Sequence, residues 1–166
     1  MVISNAKDLK DAQIVCKSPT NELVVRPRWI PFYSECNYKK PICAKFSIQN
    51  IDKFPVVYTI KVKHKLFKIS DHGCGILKPD EKKELKLFLL SSDDWNLAVG
   101  DYVQKKINIF VENLQIPDDI VPENQAEGVE IAKNIWKRSS TEWPWERLHT
   151  KLRVFLEKCE TSKFNA

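Results

Sequence analysis

Few side chains in this sequence are spaced for chemistry. His72 and Cys74 are two residues apart, so on a regular strand they share a face, which is half of a zinc site. No HxxxH or CxxC supplies the other two ligands, so no metal is expected. There is no GxSxG elbow, and a chain with four glycines has no glycine-rich phosphate loop. No carboxylate stands in an apolar setting that would raise its pKa for acid–base work. These absences predict a protein that is not an enzyme and has no cofactor.

What the sequence does offer is patterned charge. Lys61, Lys63, Lys65 and Lys68 form a run with no acid among them. Asp118, Asp119, Glu123, Glu127 and Glu130 form the opposite run. Each is read either as a solvated face or as a patch that steers an acidic partner or a second copy of the chain. Alternating lysines can track phosphates, and Phe67 is near enough to stack, but the aromatic signatures of an RNA-reading sheet are missing and arginine is sparse there. No nucleic acid is expected. A peptide laid along an exposed strand fits better, with main-chain pairing for affinity and lysines selecting acidic side chains. Among five tryptophans, Trp143 and Trp145 flank Pro144 in a loop and are either packing anchors or an interface.

The elements that must hold these residues are mostly strands. From Val56 to Val62, aliphatic and aromatic residues alternate strictly with outward ones, the two-residue period of a half-buried strand. Similar patterns run through Ala44–Ile48, Leu85–Leu89, Ile107–Val111 and Leu148–Leu156, with a shorter strand at Leu66–Ile69. The Arg26–Tyr33 stretch is extended chain broken by prolines, which places it at an edge. Gly73-Cys74-Gly75 reads as a tight corner and Ser91–Asp101 as a polar loop. Between Glu123 and Lys137 the period changes to that of one short helix. Short strands joined by turns describe an antiparallel β-sandwich.

The chain of 166 residues fits one domain, with net charge +5 and pI near 8.9. Five cysteines, an odd number without paired spacing, predict reduced thiols and a cytoplasmic location. No apolar run approaches the ~18 residues of a membrane span, and neither an export signal nor a membrane anchor is expected.

The segments VVYTIKVK, CGILKP and Leu85–Leu89 together resemble the major sperm protein (MSP) domain. Val56, Tyr58, Ile60 and Lys61 match its strand, and Cys74, Gly75, Ile76, Leu77 and Pro79 match its turn. The resemblance extends more weakly through Lys106-Ile107-Asn108-Ile109 to Trp136 and Leu152-Arg153-Val154, covering about residues 18–160. It implies an immunoglobulin-like, seven-stranded antiparallel sandwich without catalysis. One branch of that family assembles into sperm filaments; the other binds acidic, phenylalanine-containing (FFAT) peptides on a basic face. Lys61-Val62-Lys63 stands where the peptide-binding branch has Lys-Thr-Thr. Lys106 matches a lysine of that branch, and Asn108 takes the place of its methionine.

The expected organisation is an N-terminal tail over residues 1–17, an MSP-like sandwich over 18–160 and a C-terminal tail over 161–166. The leading expectation is a cytoplasmic, structural or cytoskeletal module that binds itself, as in a homodimer, or a related MSP-domain protein. The alternative is an adaptor that binds acidic FFAT-like peptides through Lys61, Lys63, Lys65, Lys106 and Asn108.

Overall fold

The computed structural model describes residues 2–157. Alternating side chains build two stacked sheets. The first holds β1 (Val24–Arg26), β3 (Ile42–Gln49), β7 (Lys82–Leu89) and β5 (Phe67–Ile69), in the order β1-β3-β7-β5. The second holds β2 (Trp29–Phe32), β9 (Leu148–Leu156), β8 (Ile107–Gln115), β4 (Val56–Val62) and β6 (Cys74–Leu77), in the order β2-β9-β8-β4-β6. Inward residues such as Ile48, Tyr58, Leu85, Leu87, Ile109, Val111, Leu152 and Val154 fill the space between the sheets. Each large aliphatic side chain buried this way is worth about 1.5–3 kcal/mol.

The sandwich is as the alternation predicts, with differences in detail. The described residues form nine strands rather than seven, because two stretches divide between the sheets. The proline-broken segment gives β1 to one sheet and β2 to the other, with a cis Arg26-Pro27 bond between them. The chain after β4 likewise crosses to β5 and returns as β6. That return is a turn through Asp71, His72 and Gly73, all with positive φ, and Cys74 already belongs to a strand. Pairing is antiparallel except between β2 and β9, which run parallel with Trp29 opposite Arg153. The expected polar loop after β7 contains helix α2 (Val99–Val103), whose Tyr102 is buried.

The helix before β9 is long. It is α3, Gln125–Glu142, 18 residues. Asn124 caps it by accepting from the Glu127 N–H at 2.8 Å, and Pro144 follows its end. α3 lays Val129, Ile131, Ala132 and Ile135 on the outer side of the second sheet, over Val57, Cys74 and Leu114. Val57 and Leu114 therefore break the alternation: these strands are covered on both faces at one end.

Residues 2–17 do not form a tail. They carry α1 (Ala6–Lys10), and Ile3, Leu9, Ile14 and Cys16 are buried in the same cluster as α3. The Ile3 N–H donates to the Asp119 carbonyl at 2.7 Å, and the Ile3 carbonyl accepts from Val121 at 2.8 Å. The apolar side of α3 packs on the outer face of the second sheet, outside the sandwich core, and these residues finish burying it. The segment 161–166 lies outside the described residues.

Candidate partner-binding face

α3 covers only one end of the outer face of the second sheet. The rest is built by outward residues of β2, β9, β8 and β4. Register places Lys61 beside Phe110, and Phe110 beside Lys151. One step along, Asn108 lies beside Arg153, and Arg153 beside Trp29. The Lys63 and Lys151 ammonium groups each lie 6.0 Å from the centre of the Phe110 ring, within reach of its negative face. His149 meets the same ring edge-on at 6.1 Å. At the rim, Trp29 is 62% exposed and packs edge-on against Phe155 at 5.0 Å. The result is an open, basic surface with aromatic rings set among its cations.

The end nearest α3 is balanced by one acid. Glu112 Oε2 lies 3.2 Å from Lys61 Nζ and 3.6 Å from Arg147 Nη1, and its side chain is only 12% exposed. Arg147 spans the junction, donating to Ser139 Oγ at 3.0 Å and stacking over Trp136 at 5.4 Å. It joins the helix to the sheet where the open face begins.

The residues expected at this site separate into groups. Lys61 and Asn108 are on the face, Lys63 flanks it just past β4, and Lys106 immediately precedes β8. Lys65 is in the turn leading to β5, and Lys68 is on β5 in the opposite sheet, so the lysine run is not one strip. Phe110, His149, Lys151, Arg153, Trp29 and Phe155 complete the face and went unselected from the sequence. The signal for β9 was present: His149, Lys151, Arg153 and Phe155 alternate with the buried Thr150, Leu152, Val154 and Leu156.

Trp143 is not a surface residue. It is 8% exposed and closes the end of the α3 cluster, with the Arg138 guanidinium 5.4 Å over its ring. Trp145, two residues on, is 89% exposed. The His72–Cys74 pair is also separated. Cys74 packs under α3, its thiol 3.9 Å from the Val129 carbonyl and its pKa raised by burial, while His72 is exposed in the turn. Among the described residues no group of three or more potential metal-ligating side chains gathers, and no helix is long and apolar enough to cross a membrane.

The fold is the immunoglobulin-like β-sandwich shared by MSP-family and PapD-like domains. Similar solved structures include WR4, a C. elegans MSP family member, at TM-score 0.50 and 11% identity over 81% of this chain and 94% of that one. SSP-19, an MSP-domain protein like family member in Caenorhabditis elegans, aligns at TM-score 0.53 and 12% identity over 80% and 99%. PapD-like domain 7 of human CEP192 aligns at TM-score 0.50 and 10% identity over 90% and 93%. No family model matches the chain, and no curated protein sequence does.

Proposed function

We propose that this protein is a non-enzymatic interaction module that receives an acidic, extended segment of a partner protein on the outer face of the second sheet. The observation that carries the reading is the placement of Lys63 and Lys151 about the Phe110 ring, with Arg153 and the Trp29–Phe155 pair beside them. Cations among aromatic rings suit a segment that has both carboxylates and an apolar side chain. The free thiols of Cys16, Cys36, Cys43 and Cys74 favour action in the reducing cytoplasm.

The test is titration with a fluorescent acidic peptide containing one phenylalanine. Binding should weaken as salt rises, and Lys63→Glu with Lys151→Glu should reduce affinity at least tenfold. Binding unchanged by that double variant removes the proposal.

A second reading is self-association, in a cytoskeletal role or as a homodimer. It is favoured by exposed Asp118, Asp119, Glu123 and Glu130 around the start of α3, which a second copy could present to the basic face. Sedimentation over a concentration series decides it: a strict monomer at high concentration and low salt excludes this reading and leaves the first intact.

A further inference from the structure

The opposite side of the sandwich carries a second basic surface, independent of the peptide-binding reading. The outward positions of the four-stranded sheet hold Arg26, Lys45, Lys68, Lys82 and Lys86, all exposed, against one carboxylate, Glu84. Lys45 and Lys86 are direct cross-strand partners, an arrangement that disfavours the isolated sheet because like charges face one another. Glu84 offsets part of this through a 3.6 Å pair with Lys45. In the next row Phe88, 38% exposed, lies between Lys68 and Cys43.

The shape of this surface selects its partner. β3 and β7, which carry Lys45, Lys82 and Lys86, are interior strands with ladders paired on both sides, so a peptide lying across the middle of this face has no ladder to join. The cations are spread in two dimensions: Lys45 faces Lys86 across the strands at about 5 Å, and Lys82 lies about 13 Å from Lys86 along β7. The depression between Arg26, Lys45, Lys82 and Glu84 is wide open rather than a closed pocket. Phe88 is the only outward aromatic ring among the described residues of this sheet, too few for a stacking track for bases. We propose that the face of Arg26, Lys45, Lys68, Lys82 and Lys86 docks on an anionic lipid bilayer, with Phe88 at the headgroup level. A planar array of negative headgroups complements a flat array of lysines, and each basic residue near such a surface strengthens binding about fivefold. The protein would thereby lie on a membrane by one face and present the other to its partner.

The experiment is co-sedimentation of the full chain with phosphatidylcholine vesicles and with vesicles in which about a third of the lipid is phosphatidylserine. Binding to the second and not the first is expected, and it should fall as salt shortens the screening length. Lys45→Gln, Lys68→Gln and Lys86→Gln together should weaken it about a hundredfold. Lys63→Glu with Lys151→Glu, on the opposite face, should leave it in place; thermal melting shows that each variant is folded. Equal binding to both vesicle types, retention by the triple variant, or loss only in the opposite-face variant overturns the proposal. So does tighter capture by a single-stranded oligonucleotide than by the anionic vesicles, which assigns the face to nucleic acid.

Discussion

Lys61 and Glu112 are joined across β4 and β8, with Nζ 3.2 Å from Oε2, and Arg147 approaches the same oxygen. Glu112, at the end of the basic face nearest α3, thus occupies a lysine that a partner would otherwise use. Glu112→Gln should free Lys61 and raise affinity for an acidic peptide severalfold. Stability should fall by about 1–3 kcal/mol, since Arg147 loses its half-buried counter-charge. Titration alongside chemical denaturation checks both, and an affinity that drops on this substitution contradicts the role given to the face.

Gly75 lies beneath the fully buried Tyr58 ring, and a Cβ there would come within 2.9 Å of the Tyr58 hydroxyl. Gly75→Ala should cost about 1–3 kcal/mol through overpacking. The Tyr58 hydroxyl has no hydrogen-bond partner among the described residues, and burial raises its pKa. Tyr58→Phe should therefore be close to neutral, and the double variant should recover part of the alanine penalty. Simple additivity in a denaturation cycle would refute this coupling.

The α3 cluster predicts two contrasts. Leu9→Ala removes a fully buried side chain and should cost about 2–5 kcal/mol, although it lies in a segment that reads as a polar tail. Trp143→Ala should cost about 3–5 kcal/mol, whereas Trp145→Ala should change stability by less than about 0.5 kcal/mol. Melting curves of the three variants suffice.

His64 packs edge-on against Phe67 at 5.8 Å and Tyr102 at 5.6 Å. Burial, and secondarily Lys105, hold its pKa below the ordinary 6.5. In this window the unfolded chain binds a proton more readily than the folded one, so stability is full above the ordinary value. It declines as pH falls toward the lowered one. His64→Gln should flatten the melting temperature between about pH 7.5 and about pH 5. An identical slope in the variant would assign the acid sensitivity elsewhere.

The strands were legible where one face is wet. Val56–Val62 and Leu85–Leu89 announce themselves because the polar Thr59, Lys61 and Lys86 fall between apolar residues. Legibility ended where α3 adds a second dry face, since Val57 and Leu114 then belong to a different cluster from their neighbours. The N-terminal segment was obscure because Ile3, Leu9 and Ile14 are too sparse to form a pattern alone and are buried by residues more than 100 positions away. Lys61 was visible within its run, but Phe110 and Lys151 reach it only through strand register, which local spacing does not encode. Lys68 was misplaced beside it because the chain changes sheets between them.

The parallel pairing of β2 with β9 bears on the order of assembly. β9 inserts between β2 and β8, and the Tyr38 hydroxyl, 2.8 Å from the Phe32 carbonyl and 2.7 Å from that of Glu157, fastens the same junction. On a ribosome, β2 would emerge early and wait for nearly the whole domain before meeting its neighbour. Such distant closure slows folding, and until then Ile30 and Phe32 depend on a nascent chain that stays unfinished.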